Sequence, residues 1–277
     1  MTPPKVAYRR CLVSFFDILG FRDIVNKKEP GEIASLMDLF QKTGEISAET
    51  AEVFEARSFQ FSDCIVRMMP LDSDANKRYP VGILFHEIIA IVHAALEMAN
   101  RGTFLRGGLT IGDAYYSETT MFGPAMIHAY ELESRVAVYP RVVVDPAVVE
   151  ALKREPLLKM DTHQISDEVA ELLQLLRRDA DGVWFVDFLH AALEEVDEPS
   201  LYGRLLDKHK KSVEQALRTR KKLDDVAIKV LWAARYHNQV LDRFVADGGN
   251  PDVIGKHRVS IPPTLLGDLP MEEPPTG

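Results

Sequence analysis

Apolar and polar positions follow one another in blocks that predict strands and helices along roughly the first two thirds of the chain. Residues 10–18 form a dense apolar run with β-favouring bulk, and Gly20 ends that run. Apolar side chains at helical spacing then predict a helix over 20–45. Residues 52–71 predict two strands joined by a tight turn near Asp63.

The following stretch continues this alternation. A long helix is expected over 80–100, and a strand over 103–117 comes next. That strand contains three glycines, Gly107, Gly108 and Gly112. Glycine weakens a strand interior, so three of them predict the close approach of another backbone or of a ligand. A short helix should begin near Pro124, and 141–145 and 182–189 are two further strand candidates.

The order β-α-β-β-α-β-α-β predicts an α+β sandwich, a mainly antiparallel sheet with helices on one face. We expect residues 1–197 to form this domain. Beyond it the chain becomes helical and strongly charged, which predicts a helical extension over 198–246 packed on the domain. Residues 247–277 are rich in proline and predict an extended tail.

Length and net charge limit the kinds of molecule that the protein is expected to bind. A chain of 277 residues suits one core domain with an extension. The net charge of −9 argues against a nucleic-acid or anionic-membrane partner, because neither favours an acidic surface. It leaves room for a local basic pocket that binds a small anion.

Cysteine content and the longest apolar stretch favour a cytoplasmic location. Two cysteines make no disulfide framework, which is typical of a reducing compartment. The N-terminal stretch has no apolar core of a signal peptide. The stretch "VGILFHEIIAIVHAALEMA" is interrupted by His86, Glu87 and His93, so it predicts a buried amphipathic helix and a poor membrane span.

Two aspartates carry the candidate chemistry. Asp17 lies inside the apolar run "CLVSFFDILGF", where a charge is costly without a partner. Asp63 lies at the predicted hairpin tip. Facing carboxylates could hold Mg²⁺ or Mn²⁺, and two such ions can support phosphoryl transfer. Spacing alone favours a structural alternative, in which Asp17 caps the next helix and Asp63 is a turn residue.

Four segments resemble motifs of the class III nucleotide cyclases. "FFDILGF" resembles their "F-x-D-I-x-G-F", and "FSDCIV" is similar to their "G-D-C" hairpin with Ser62 in place of glycine. "LRGGLTIGD" resembles "R-x-G-I-x-x-G", and "FGPAMIHAYELES" resembles "G-x-x-V-N-x-A-x-R-L-E-S". The four occur in the family's order across residues 10–135, which implies the ferredoxin-like sandwich of that superfamily.

Several positions depart from the purine cyclases. The transition-state Asn and Arg of that family are replaced by Ile127 and Glu131, and the adenine-reading Lys and Asp by Phe59 and Thr120. The "K-G-K-G" triphosphate segment is missing. This pattern resembles the pyrimidine cyclases of bacterial Pycsar anti-phage systems. The resemblance implies synthesis of cyclic UMP or cyclic CMP, a separate effector opened by the product, and a homodimer with active sites between two domains.

The resemblance also implies a set of site residues. Asp17 and Asp63 would hold two Mn²⁺ or Mg²⁺ ions, with Ile18 as a further metal contact. Substrate contacts would include Phe16, Gly20 and Phe21.

Four more residues are candidates for base or phosphate contact, each with a structural alternative. Arg57 and Arg106 could meet substrate or be surface ion-pair partners; alternation along its strand directs Arg57 toward Asp63. Phe59 could stack on a pyrimidine or be core. Thr120 could bind a base edge or cap a helix. The donors Arg57 and Thr120 favour uridylate over cytidylate slightly.

Two other functions remain open. Ile127 and Glu131 are compatible with an inactive cyclase-like sensor that binds a nucleotide. A purine cyclase with an unusual base pocket is the other alternative.

Overall fold

A computed structural model describes residues 6–160, 165–193, 199–218 and 223–265. The predicted domain boundary at 197/198 and the end of the predicted tail, 266–277, lie outside these residues. The strands are β1 (Arg9–Ile18), β2 (Arg57–Phe61), β3 (Cys64–Pro70), β4 (Leu105–Tyr116), β5 (Met121–Phe122), β6 (Val142–Val144), β7 (Leu176–Arg178) and β8 (Trp184–Val186). The α-helices are α1 (Phe21–Lys27), α2 (Pro30–Gly44), α3 (Ala48–Val53), α4 (Asp74–Arg78), α5 (Ile83–Asn100), α6 (Pro124–Glu131), α7 (Pro146–Arg154), α8 (Ile165–Gln174), α9 (Phe188–Ala191), α10 (Pro199–Arg218), α11 (Asp225–Ala246) and α12 (Pro251–Gly255).

The strands form one sheet in the order β2-β3-β1-β4-β6-β8-β7, and β5 pairs with β4. All pairings are antiparallel except that of β4 with β6. The α+β class with a mainly antiparallel sheet is therefore confirmed. Strand β1 is central, with β3 on one side and β4 on the other.

Both faces of β1 are covered, which accounts for its dense apolar sequence. Leu12, Phe16 and Ile18 belong to the main core with residues of α2 and α5. The alternate residues Val13 and Phe15 pack on the opposite face, against α6. By the two-residue alternation of a strand, Asp17 continues the row of Val13 and Phe15 and lies on the α6 face.

The glycines of β4 allow the close approach that their positions predict. A Cβ atom at Gly108 would lie 2.5 Å from Leu132 Cβ and 2.7 Å from the carbonyl oxygen of Ala129. A Cβ atom at Gly112 would lie 3.3 Å from Ala125 Cβ. The backbone of α6 therefore rests directly on β4, and the prediction of a nearby backbone is confirmed.

Four local predictions are corrected. Within the tail that was predicted to be extended, Pro251–Gly255 form helix α12, capped by Asn250. The single helix over 20–45 is two helices, because Glu29 and Glu32 form a capping box and Pro30 opens α2. Residues 48–53 form helix α3, capped by Ser47, so β2 starts only at Arg57. The strand predicted over 182–189 ends at Val186 and helix α9 follows.

Helices α10 and α11 pack on this domain. Tyr236 and Val240 of α11 belong to the main core together with the sheet residues. The hydroxyl of Tyr236 donates to Asp187 Oδ1 at 2.7 Å, and Arg243 pairs with Asp187 Oδ2 at 2.8 Å. The described part of the predicted extension therefore shares its core with the sheet.

One helix among the described residues, α5, is long and apolar enough to cross a membrane by length and composition. More than half of it is buried in the protein. Its Glu87 pairs with Arg67 at 2.9 Å and accepts from Ser14 Oγ at 2.5 Å, both in neighbouring strands. These contacts are those of a core helix packed against the sheet.

Replacing Gly108 by alanine should destabilise the protein by about 1–3 kcal/mol, because the added methyl group overlaps backbone and side-chain atoms of the α6 segment. The measurement is the urea midpoint of unfolding. Gly31→Ala is the control, since nothing lies within 4 Å of a Cβ at Gly31. Equal midpoints for the two variants would contradict the close packing of α6 on β4.

Candidate active site

The hairpin of β2 and β3 brings Asp63 to the end of β1. Asp17 pairs with Cys64 in the β1–β3 ladder, and the Ile18 amide donates to the carbonyl of Asp63 at 3.2 Å. One ligand atom each from Asp17, Asp63 and Cys64 lies within 4.8 Å of the others. The two carboxylates are therefore close enough to share a cation.

The turn that carries Asp63 has a specific local geometry. Ser62 adopts a positive φ of 53°, a conformation that favours glycine. Its hydroxyl donates to Asp63 Oδ1 at 2.8 Å, so the same side chain orients the carboxylate. This contact offers a physical role for serine at a position where the cyclase motif has glycine.

Arg106 lies opposite Asp17 in the β1–β4 ladder and holds it in place. Its Nε and Nη2 atoms donate to Asp17 Oδ2 at 3.1 and 2.7 Å. Nη2 also lies 2.7 Å from Glu133 Oε1. Glu133 belongs to a π-helical turn, Leu132–Val136, that continues α6. One guanidinium is thus shared by two buried carboxylates.

This charge distribution fits a divalent cation. Arg106 pairs with the carboxylates of Asp17 and Glu133, and Asp63 adds a third carboxylate next to Asp17. Asp17 Oδ1 is buried and has no hydrogen-bond partner among the described residues. Hard cations such as Mg²⁺ and Mn²⁺ bind carboxylate oxygens, so the free oxygen of Asp17 and the carboxylate of Asp63 are suitable ligands.

The same surroundings perturb proton affinity. Burial raises the pKa of Asp17 to about 7; Arg106 opposes this shift, and the neighbouring carboxyl group of Asp63 adds to it. Burial also raises the pKa of Glu133, against the opposing charge of Arg106. A proton and a metal ion therefore compete for Asp17 near neutral pH.

Cys64 is a poor ligand for such an ion. Burial, together with the nearby charges of Asp17 and Asp63, raises the pKa of the Cys64 thiol to about 12. The side chain is therefore a neutral thiol at physiological pH, and neutral sulfur does not suit Mg²⁺ or Mn²⁺.

The other residues assigned around Asp17 contribute in different ways. The side chains of Phe16 and Ile18 are buried in the main core, on the opposite face of the sheet. Only their backbone atoms could contact substrate or metal. Gly20 has a φ of +77° at the start of α1, with open space in front of it, and Phe21 is half-buried against the core.

Arg57 and Phe59 lie on β2. The Arg57 guanidinium donates to the carbonyl oxygens of Ala51 and Ala56 at 3.0 and 2.8 Å. Arg57 is also four residues from the end of β2, about 13 Å along the strand. It is therefore turned toward the C-terminal end of α3, away from the carboxylates that it was expected to approach. Phe59 is half-buried opposite Val66.

Thr120 lies far from the carboxylates of its own chain. It is exposed in the turn between β4 and β5, where its carbonyl accepts from the Ser117 amide at 2.7 Å. The N-cap of α6 is Gly123, so the helix-cap alternative is wrong. Arg106 and Thr120 lie at opposite ends of β4, about 30 Å apart along the strand.

The sequence interpretation missed Glu133 as a site residue. It is 3% exposed and completes the ion-pair network through Arg106. The available signal was its place in the quoted "ELES" segment, where it follows the helix that packs on β4.

Comparisons with known proteins show nucleotide cyclases among the structural neighbours. No family model matches the chain, and no curated protein matches it. A bacterial light-regulated adenylyl cyclase is 14% identical, with a TM-score of 0.36 over 60% of this chain and 98% of that one. The catalytic core of a rhodopsin-guanylyl cyclase with converted specificity, in complex with ATPαS, is 13% identical, with a TM-score of 0.35 over 65% and 95%. An adenylate/guanylate cyclase/hydrolase from Silicibacter pomeroyi is 15% identical, with a TM-score of 0.38 over 65% and 97%. These scores are too low to carry a functional argument, which rests on the chain's own residues.

Mn²⁺ should raise the melting temperature of the wild-type protein by several degrees, because a bound ion relieves the repulsion between the carboxylates. The shift should vanish in Asp63→Asn, which removes one ligand charge. Asp113→Asn is the matched control, since Asp113 is an exposed acid on the same sheet near the far end of β4. Loss of the shift in Asp113→Asn as well would indicate non-specific binding.

Mn²⁺ affinity should also depend on pH. The pKa of Asp17 is raised to about 7, so this carboxyl is protonated below pH 7 and must lose its proton to bind metal. Affinity should therefore rise by about tenfold per unit up to pH 7 and level off above it. Titration calorimetry at pH 5.5, 6.5, 7.5 and 8.5 measures this. An affinity that is constant across the series would exclude Asp17 as a ligand.

Proposed function

We propose that the protein is a metal-dependent nucleotide cyclase, which converts a nucleoside triphosphate into its 3′,5′-cyclic monophosphate and pyrophosphate. The observation that carries the proposal is the convergence of Asp17 and Asp63, with one Asp17 oxygen left without a partner. These aspartates lie in two of the four segments that resemble the class III cyclases.

The roles of the side chains follow from their contacts. Asp17 and Asp63 would hold Mg²⁺ or Mn²⁺. Arg106 binds one oxygen of Asp17 and leaves the other without a partner among the described residues, and Glu133 pairs with Arg106. When bound, the metal ions would lower the pKa of the ribose 3′-hydroxyl and neutralise charge on the α-phosphate and departing pyrophosphate. The hydroxyl proton would pass to solvent, and the 3′-oxygen would bond to the α-phosphorus as the bond from that phosphorus to the bridging oxygen of the departing pyrophosphate breaks.

A homodimer is part of this proposal. Thr120 is too distant to meet a substrate bound at Asp17 of its own chain, so it can contribute only from a second copy. Three large side chains near the carboxylates or on the adjoining helix are strongly exposed: Phe61 (49%), Ile127 (61%) and Tyr130 (51%). Phe61 and Tyr130 both pack edge-on against Phe15, so they lie on the α6 face. An exposed apolar surface of this kind is typical of an interface.

The substrate that we favour is a pyrimidine nucleotide, UTP before CTP. Phe59 and Thr120 replace the charged purine readers, which removes the usual recognition of adenine. Arg57 is engaged by backbone carbonyls, so Thr120 is the more accessible donor for a base carbonyl. A second-messenger role in anti-phage defence, in the cytoplasm and with a separate cyclic-nucleotide-binding effector, follows from the Pycsar resemblance alone.

One observation favours a different function, a catalytically inactive nucleotide sensor. Ile127 cannot donate a hydrogen bond, and Glu131 is acidic and pairs with Arg135 at 3.0 Å. Neither can stabilise the negative charge that develops on the α-phosphate. An assay with all four nucleoside triphosphates separates this function, and a purine cyclase, from the leading proposal.

Incubation with ATP, GTP, CTP and UTP in Mn²⁺ should yield a cyclic product from a pyrimidine nucleotide, measured by mass spectrometry together with pyrophosphate release. Asp17→Asn and Asp63→Asn should lower turnover at least about 100-fold, because each removes a metal ligand. Asp113→Asn should retain full activity.

Other results of this assay would indicate a different function. Cyclic AMP or cyclic GMP as the main product would replace the pyrimidine preference with a purine one. Nucleotide binding without pyrophosphate release would favour the sensor. Full activity in Asp17→Asn would overturn the mechanism.

A further inference from the structure

A cleft of about 870 Å³ lies between α2, α3, α5 and β3. Its floor includes Arg67 of β3, which pairs with Ser14 in the β1–β3 ladder. Ser14 and Asp17 are three residues apart on β1, so their side chains lie on opposite faces of the sheet. The cleft is therefore separate from the aspartate site, and none of its described lining residues takes part in the proposed mechanism.

Helix α5 turns one face toward this cleft. The spacing of its lining residues is three or four, which places their side chains on the same side of a helix. These residues are Ile83, His86, Ala90, His93 and Glu97. Further apolar surface comes from Ile46, Phe54, Met69, Val81, Leu96 and Leu205, the last of which belongs to helix α10 of the C-terminal extension. A concave, mainly apolar surface of this volume is typical of a small-molecule site.

Arg67 places a buried cation at the floor of the cleft. The residue is 7% exposed, and its Nη2 lies 2.9 Å from Glu87 Oε2. The other oxygen of Glu87 accepts from Ser14 Oγ at 2.5 Å, and Glu87 is not among the described lining residues. Arg67 Nε is buried and has no hydrogen-bond partner in the described part of the chain. A guanidinium has five N–H donors, so the pair with Glu87 leaves Arg67 with unused donor capacity.

The second arginine of the central strands illustrates that capacity. Arg106 pairs with two carboxylates, those of Asp17 and Glu133. Arg67 has one carboxylate partner within the described ranges. An anionic group that enters the cleft would be a second partner for Arg67, and a hydrogen bond between two charged groups is among the stronger polar contacts.

The rim of the cleft carries both signs of charge. Lys42 and Glu45 are exposed there, and Glu97 is half-buried. Charges in contact with water are screened, and these oppose one another. The buried cation of Arg67 therefore decides which charge the cleft selects.

We propose that this cleft binds a small amphipathic anion, a molecule with an apolar body and one carboxylate or phosphate group. The apolar body lies against α5 and the α2–α3 segment, and the anionic group accepts hydrogen bonds from Arg67. This binding goes beyond the proposed cyclase function and does not depend on it, because the described lining residues are separate from the aspartate site.

The test titrates the full chain with anilinonaphthalene sulfonate, a fluorescent dye that combines an apolar aromatic body with one anionic group. The wild-type protein should show saturable binding. The double variant Arg67→Gln/Glu87→Gln should bind the dye about tenfold more weakly, because it removes the cation without leaving Glu87 as an unpaired buried charge. The uncharged analogue phenylnaphthylamine should bind the two proteins equally.

A second variant tests the location of the dye without altering the ion pair. Ala90→Phe fills the cleft from α5 and should abolish saturable dye binding. Ala246→Phe is the matched control, since Ala246 is exposed at the end of α11 and is not among the described lining residues. Melting temperatures check that all variants are folded.

Competition defines the class of ligand. Octanoate or octyl phosphate should displace the dye, and octanol at the same concentration should not. Displacement by octanol to the same extent would overturn the proposal, because it would remove the requirement for an anionic group. Unchanged dye binding in Ala90→Phe would overturn it as well. Displacement by UTP would also overturn it, by placing the dye at the nucleotide site.

Discussion

Three carboxylates and one guanidinium lie together at the end of β1, and the rest of the site depends on this imbalance of charge. Arg106 satisfies one oxygen of Asp17 and pairs with Glu133; within the described part of the chain, the second oxygen of Asp17 and the carboxylate of Asp63 have no cationic partner. Burial makes the imbalance costly, as the raised pKa of Asp17 indicates. A fold could remove this cost by replacing Asp17 with an apolar residue. The cation that we propose at this site would offset this cost.

The architecture positions these groups through close packing. Gly108 lets the α6 segment rest on β4, and the π-helical turn that follows α6 directs Glu133 toward Arg106. The hairpin turn at Ser62 carries Asp63 to the same place from the other side of β1. The sheet thus contributes Asp17 and Arg106 from its centre, and the two flanking segments contribute the remaining carboxylates.

Much of the fold could be predicted from local pattern, and part of the site could not. The strand of Asp17 follows from an apolar run, and the hairpin at Asp63 follows from turn residues. The close approach at Gly108 follows from glycines inside a strand. All three signals are local in sequence. Glu133 was missed because its partner Arg106 is distant in sequence and meets it only across the packed faces. Arg57 does not point toward Asp63 as expected, because its guanidinium donates to the carbonyl oxygen of Ala51 near the C-terminal end of α3. The sequence did not predict this helix. Thr120 was placed at a helix entry because a two-residue strand, β5, is too short to leave a periodic signal.

The most direct test of the central claim is anomalous diffraction from crystals soaked in Mn²⁺, with UTP or a non-reactive analogue present. We expect two anomalous peaks, roughly 3.5–4 Å apart, both in contact with carboxylate oxygens of Asp17 and Asp63. Arg106 should retain its contact with the other oxygen of Asp17. Mn²⁺ bound elsewhere, or no peak between the two aspartates, would contradict the account.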